Sequence, residues 1–490
     1  MKKLFLTTIG LMLSFFLLAQ NETDALRYSY LMYGGTSRSV AMGGAFSALG
    51  ADFSTLSTNP AGIGVYKTSE MMFAPQINFS NATSTYNNHT AEDSKAGLAL
   101  ANIGMVFTGD ISNGSDHPEW KNIQFGFGVN RAADFNSSTI MAGNNSENSI
   151  LDVYKYYADG YEYTNLNSFD TELAWNTWLL DTAGGTNNYV KAFDGGVYQQ
   201  KSTITSGGIN EMVLSFGGNY NDRFYLGATM GFPYLRYVED SYYKEIDNGD
   251  SLPLFNSLSI NDELHTTGTG FNFKLGMIFR VNDWVRLSGA IHTPTFYRMH
   301  DTYSRVIKSD LETNTYESTS PQGVYDYRMT TPMRLMGGLA IVIKKAGVIS
   351  ADYEMVDYSQ ARIRSIDPMY DFIDANENIT SLYTVAHNFK IGTEWVFRPF
   401  SIRGGFSYFG SPFANELNDM STTSFHAGFG IREKYYFIDF AYVYSMRSED
   451  YYFYNPDIID NLGMTLNPVT TDYVKSSFLI TLGLRFSDMN

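Results

Sequence analysis

From about residue 70 onward, apolar side chains fall on every second position. Phe478, Ile480, Leu482, Leu484 and Phe486 alternate with Leu479, Thr481, Gly483 and Arg485. The same two-residue period runs through Phe389, Ile391, Thr393, Trp395 and Phe397, through Phe271, Phe273, Leu275, Met277 and Phe279, and through Phe125, Phe127 and Val129. Side chains alternate across a β-strand, so each stretch predicts a strand with one apolar face and one polar or very small face. Fourteen such segments follow one another, near 70–80, 95–107, 121–131, 203–219, 223–243, 264–281, 284–307, 322–343, 346–364, 385–398, 400–410, 422–433, 435–452 and 474–487.

The spacing between strands separates a membrane barrel from a soluble sandwich. Short connections at Asn219–Asp222, Val281–Asp283, Lys344–Ala346, Arg398–Phe400 and Arg432–Lys434 are interleaved with long polar ones near 132–202, 244–263, 308–322, 365–384, 411–421 and 453–473. Outer-membrane barrels have tight periplasmic turns, long external loops and aromatic residues at the strand ends. Tyr, Trp and Phe gather there, as at Trp284, Tyr297, Trp395, Phe400, Tyr435, Tyr436, Tyr451 and Tyr452. The fold class expected is all-β: a transmembrane antiparallel β-barrel of about 14 strands. Parity asks for a tight turn in 108–120, where the stretch is longer than the others. Unpaired backbone groups in hydrocarbon cost several kcal/mol each, so the sheet must close, first strand to last.

Composition supports this reading. Aromatic residues make up 16% of the 490-residue chain and charged residues only 17%, with 43 Gly and 13 Pro. Beyond residue 20 no apolar run approaches the ~20 residues of a membrane helix. Met1-Lys2-Lys3 and the apolar Leu4–Leu18, ending at Leu17-Leu18-Ala19, have the form of a secretory signal peptide over 1–19. The net charge of -17 gives no basic surface for nucleic acid. With Cys absent and seven His never at ligand spacing, no metal, no cofactor and no thiol chemistry are expected. His292 and His426 are the only inward histidines a hydrolase reading could use, and no enzyme is expected.

Residues 20–69 lack the alternation. Ser37–Leu49 is rich in small residues and reads as short helix or turn; Asp52–Leu56 reads as a second short helical piece stopped at Asn59-Pro60-Ala61-Gly62. A segment of this size cannot make its own core, but it fits inside a barrel. Gly43-Gly44 follows no strand and precedes no Gly-Lys-Ser/Thr, so it is not a phosphate loop.

Ser39-Val40-Ala41-Met42-Gly43-Gly44-Ala45-Phe46, followed by Asp52 and Asn59-Pro60-Ala61-Gly62, resembles the N-terminal hatch of the FadL/TodX outer-membrane transport family. Gly289–Pro294, Asp352–Tyr358, and Lys390–Trp395 running into Arg403-Gly404-Gly405 are similar to patches of its barrel. Ser57-Thr58 stand where the family often carries aromatics, and four residues follow Phe486 where such chains usually end. The resemblance implies three regions: signal peptide 1–19, a hatch over 20–69 plugging the lumen, and a barrel over 70–490. It also implies an outer-membrane location and passive uptake of long-chain fatty acids or other hydrophobic compounds. Release would be lateral, through a gap in a kinked third strand that faces Asn59, Pro60 and Ala61. Gly126, Gly128 and Ala132, with Ala133, are the candidate kink residues. Gly62, Gly43 and Gly44 complete the hatch set.

Inward-facing charges are expected at Lys274, Arg286, Arg334, Lys390 and Arg403, with Asp352, Glu354, Glu394 and Arg485. These cations either hold a carboxylate substrate or brace the barrel against the hatch, and bracing is the more economical reading. The longest loop carries Tyr154, Tyr156, Tyr157, Tyr161, Tyr163, Trp175, Trp178, Leu179 and Leu180, with one or two helices between Ile150 and Leu180. These aromatics serve either to capture a hydrophobic ligand or to pack the loop. The partners expected are a hydrophobic small molecule and outer-membrane lipid around a monomer. The competing reading is a non-transporting barrel of the same fold, PorV-like, that scaffolds or shuttles secreted proteins docked on its loops.

Overall fold

The computed structural model describes residues 21–112, 119–249, 251–367, 371–414 and 418–486. The signal-peptide stretch, residues 113–118 of the joint at 108–120, and the four C-terminal residues lie outside the described residues. Fourteen antiparallel spans form one closed barrel. In order they are Ser69–Tyr86, His89–Asp110, Trp120–Asp134 continued by Ser137–Asn145, Val197–Tyr220, Phe224–Ile246, Phe255–Arg280, Val285–His292 continued by Phe296–Leu311, Gly323–Thr330 continued by Arg334–Ile343, Gly347–Asp357 continued by Arg362–Ser365, Val385–Phe397, Phe400–Phe409, Thr422–Arg432, Tyr436–Tyr451 and Val469–Phe486. Each sequence segment expected to be a strand lies in one of these spans.

Closure is made by the first and last strands, in register from Ser69↔Phe486 to Thr85↔Thr470. On the last strand Phe478, Leu482 and Leu484 are 48%, 47% and 59% exposed, whereas Leu479 and Thr481 are buried. The apolar face therefore points out, inverting the soluble pattern, and this sets the membrane-facing belt. Among the described residues no helix is long and apolar enough to cross a membrane.

The tight connections fall at one end, where the five short turns were expected, with Asn221, Asp222 and Lys344 at φ 53°, 53° and 48°. At the opposite end strands one and two meet in a two-residue turn, Asn87-Asn88, both at positive φ. Such a turn matches the twist of a hairpin and suits Asn. Strands four, five and six have 24, 23 and 26 residues. Since about 9–11 residues cross a bilayer, more than half of each stands above the belt on the long-loop side. There the loops have a core of their own, with Tyr154, Leu179, Leu180 and Phe453 buried among strand tips.

Cysteines placed at Ile77 and Phe478, Cα partners across the closing seam, lie within disulfide reach. Because the chain has no other Cys, oxidation is expected to give one intramolecular cross-link, visible as a mobility change on a non-reducing gel. Absence of the cross-link would mean that the seam is not closed in this register.

Candidate functional site

The N-terminal segment runs through the lumen from the long-loop end to the tight-turn end. Its first helix, Glu22–Ser29, has the Asn21 side chain as N-cap, and its end faces the external helix Ile373–Leu382, where the Tyr383 hydroxyl donates to Glu22 O at 3.0 Å. Periodicity did not reveal this helix because its eight residues mix Glu, Thr, Asp and Arg with three apolar side chains. Thr36 caps a short helix, Ser37–Ala41, and Asp52 caps a 3-10 turn, Phe53–Leu56. The Phe53–Leu56 turn stops ahead of Asn59-Pro60 as expected, and Pro60 then opens a separate 3-10 turn, Pro60–Val65, because proline's fixed φ suits the first helical position.

Asn59 anchors that last turn. Its Oδ1 accepts from Ala61 N at 3.2 Å, and its Nδ2 donates to Ser47 O at 2.8 Å and to Met277 O on the sixth strand at 3.4 Å. Two barrel glycines make room: a Cβ on Gly276 would lie 1.9 Å from Asn59 Oδ1, and one on Gly227 would lie 2.2 Å from Pro60 O. Asn59, Pro60 and Ala61 thus seat on strands five and six, not against the third strand as expected. The small residues that allow the backbone to approach the wall are on those two strands. Gly62 touches Thr55 within the segment, and Gly43, at φ 69°, abuts the eleventh strand with its Cβ position 2.8 Å from Phe406 O. Gly44, at φ 75°, lies over Lys390.

All five inward cations are engaged. Lys274 pairs with Glu211 and donates to Ser57 O at 3.1 Å. Arg286 donates to Leu49 O at 2.9 Å. Arg334 pairs with Glu354 at 2.6 Å and donates to Ser29 O; Lys390 reaches Glu354 at 3.3 Å. Arg403 bridges Glu394 at 2.8 Å and Asp439 at 2.7 Å, and Arg38 of the N-terminal segment joins Glu394 at 2.7 Å. Asp352 accepts from Ser47 N at 2.9 Å, while Arg485 pairs with Glu70 at 2.7 Å near the tight-turn rim. This arrangement fits bracing and leaves none of the five cations without a partner. Glu211, Asp439 and Arg38 were missed from sequence because nothing local marks them as members of cross-barrel networks. The Ser57 hydroxyl donates to Glu211 at 2.9 Å and accepts from Asn130 at 2.8 Å. The polar residue in place of an aromatic therefore serves a buried polar chain.

Among the described residues the ladder between strands two and three is interrupted part-way up the wall. Strand two pairs with strand three from Asp110↔Asn122 up to Asn102↔Asn130, and there the ladder stops. Residues 89–100 continue to pair with strand one only. Two irregularities diverge at this level: strand two is bulged at Ala101 opposite Pro75, and strand three shifts register against strand four between Arg131 and Ala133. Pro75 has no N–H to give a ladder, and a bulge bends its strand. Strand three then breaks at residues 135–136 before Ser137–Asn145. The carbonyls of Arg131 and Ala132 accept instead from Gly34 N at 2.8 Å and Met32 N at 3.0 Å. The bend thus starts at Arg131–Ala133 and includes Ala132. Gly126 and Gly128 sit below it inside the ladder, where the missing side chains admit Leu56 and Phe53; they do not form the kink.

Charged groups rim the discontinuity. Asp134 accepts from Lys475 at 2.6 Å, Arg131 at 2.7 Å, Asn78 at 2.9 Å and Asn136 at 2.6 Å, while Lys95 reaches Thr205 O at 2.7 Å. Behind the rim lies an apolar chamber of Ala132, Ala133, Ile209, Leu235, Tyr297 and Met299, filled by Ala25, Leu26 and Tyr28 of the N-terminal segment. A cavity of about 850 Å³ beside helix Ile373–Leu382 is lined in part by Ile363 and Phe372 of the same apolar cluster and opens to the outside. Of the large loop side chains, Tyr154, Leu179 and Leu180 are core, whereas Tyr156, Tyr161, Tyr163 and Trp178 are about half exposed. Two helices, Ile150–Ala158 and Thr171–Asn176, lie within this loop.

A FadL homologue of Pseudomonas aeruginosa superposes with a TM-score of 0.55 at 11% identity, over 94% of this chain and 100% of its own. The chain has the FadL-type channel fold. Two toluene transporters share this FadL-type fold: TodX of Pseudomonas putida, with a TM-score of 0.51 at 12% identity over 93% and 99% of the two chains, and TbuX of Ralstonia pickettii, with 0.51 at 14% over 92% and 98%. No protein-family model and no curated protein sequence matches the chain.

Removing one partner of a buried ion pair leaves the other charge uncompensated, a cost of about 3–5 kcal/mol. Lys274→Met, which strands Glu211, is expected to lower the urea midpoint of barrel unfolding more than Arg286→Ala. The latter loses one charge-assisted bond to a carbonyl, worth about 1.5–3 kcal/mol. Equal midpoints, followed by the mobility of unheated samples on gels, would contradict the bracing role of Lys274.

Proposed function

We propose that this barrel is an outer-membrane channel for passive uptake of hydrophobic compounds, with long-chain fatty acids or similar amphiphiles as substrates, and that they leave sideways between strands two and three. The observation that carries this reading is the end of the ladder at Asn102↔Asn130 beside an apolar chamber. From Asp110 to Asn102 strand two climbs eight steps. At about 3.4 Å per residue and a tilt near 40° this is roughly 20 Å, within reach of the outer edge of an apolar band about 25 Å tall.

Energetics favour that exit. Burying a methylene is worth about 0.8 kcal/mol, so a sixteen-carbon tail released into water forfeits roughly 12 kcal/mol, whereas release into the bilayer forfeits almost none of it. No energy source is needed. The N-terminal segment acts as the hatch: Ala25, Leu26 and Tyr28 occupy the chamber a ligand would use, and the turn at Asn59 holds the lower part of the plug. The half-exposed Tyr156, Tyr161, Tyr163 and Trp178 give the loops an apolar surface for capture. The names of the toluene transporters that share the fold support a hydrophobic cargo, and the location follows from the outward apolar belt.

The test is uptake of a radiolabelled long-chain fatty acid by cells carrying the intact chain, the Asn59→Ala variant or a deletion of 37–62. Intact chain is expected to import the label and Asn59→Ala to import less. The deletion is expected to lose selectivity and admit a bulky polar antibiotic. A folded, surface-exposed barrel that imports neither a fatty acid nor a monoaromatic hydrocarbon would overturn the reading.

A further inference from the structure

We propose that the outer wall of strands seven to nine carries a binding site for the phosphate groups of membrane lipids, formed by Arg298, Arg328 and Arg364. Arg298 and Arg328 are Cα partners across strands seven and eight, and Arg328 and Arg364 are partners across strands eight and nine. All three are exposed, whereas the residues that flank them along the strands, Tyr297, Met299, Tyr327, Met329 and Ile363, are buried in the interior. Alternation therefore turns the three guanidinium groups to the outside of the barrel. Three like charges on neighbouring strands repel one another, in a chain whose net charge is -17.

Among the described residues none of the three lies within ion-pair distance of a carboxylate; Arg364 donates only to Thr330 Oγ1 at 3.3 Å. The carboxylate one step further out, Asp326, is engaged by His300 Nδ1 at 2.9 Å. A fourth exposed arginine, Arg236 on strand five, lies level with His300 across strand six.

Position selects the anion. One step below Arg298 toward the tight-turn end is Phe296, 57% exposed, with its partner Phe271 at 43% on strand six. The arginine row thus sits just above the apolar belt, on the long-loop side, at the depth of lipid headgroups. Arginine binds phosphate through paired N–H donors in a fixed plane, and a row of three across adjacent strands suits a headgroup that carries more than one phosphate. The site rests on placement of the belt in a membrane and is independent of what the lumen carries.

The experiment is native mass spectrometry of the full barrel in detergent, titrated with diphosphoryl lipid A, with its dephosphorylated form and with inorganic phosphate. The proposal expects retention of the diphosphoryl lipid, weakened at least about tenfold in the Arg298→Gln/Arg328→Gln/Arg364→Gln variant, and no comparable retention of the dephosphorylated form or of free phosphate. Heat-modifiable gel mobility confirms that the variant is folded, and a single Arg328→Lys variant, which keeps charge but not the fork, is expected to fall between. Equal lipid retention by the folded triple variant and the parent overturns the site, as does equal retention of the lipid without its phosphates. Binding of inorganic phosphate as tightly as the lipid overturns the lipid assignment. Fatty-acid uptake measured on the same variants separates this outcome from failure of the channel reading.

Discussion

Everything in this barrel follows from one requirement: a backbone N–H or C=O inside hydrocarbon must have a partner. It forces the sheet to close through Ser69–Thr85 and Thr470–Phe486. It also makes the interruption between strands two and three informative, because a ladder is abandoned there only with substitutes in place. The carbonyls of Arg131 and Ala132 on strand three are taken up by the N–H groups of Gly34 and Met32. The segment inside the lumen thus completes the wall where the wall itself is incomplete.

That dependence links the N-terminal segment to the interrupted ladder. Asn130, the last strand-three residue paired to strand two, donates to the Ser57 hydroxyl, which in turn reaches Glu211 and its partner Lys274. A second network joins Arg38 to Glu394, Arg403 and Asp439. Buried ion pairs add little net stability over apolar packing, but they fix position. Here they hold a segment rich in small residues at a defined height inside a wide tube. The same charges are then committed to the fold and are poorly suited to retaining a substrate anion.

The barrel was legible because a period of two over fourteen segments, with turns of alternating length, is a strong and repeated signal. Phe478 to Phe486 alone discloses which face meets lipid. The interior was less legible. Helix Glu22–Ser29 is only eight residues long and buries Asp24 and Ser29 along with Ala25, Leu26 and Tyr28, so its sequence shows no extended apolar stripe. The turn that Pro60 opens was not read, because a proline ends one helical piece and begins another with the same residue. The kink was assigned to Gly126 and Gly128 on the flexibility of glycine, whereas those positions are small to admit Leu56 and Phe53. The actual bend arises at Arg131–Ala133 opposite a bulge at Ala101. Bulges depend on register between strands, which no single strand's composition records.

The lateral exit is tested most directly by stapling it. A Cβ built on Gly97 of strand two would lie 3.7 Å from Cβ of Asn136, at the break in strand three, a separation suited to a disulfide. In the Gly97→Cys/Asn136→Cys variant, fatty-acid uptake should be lost under oxidising conditions and return when reductant is added, with each single variant active throughout. Undiminished uptake by the fully cross-linked double variant would contradict passage between strands two and three.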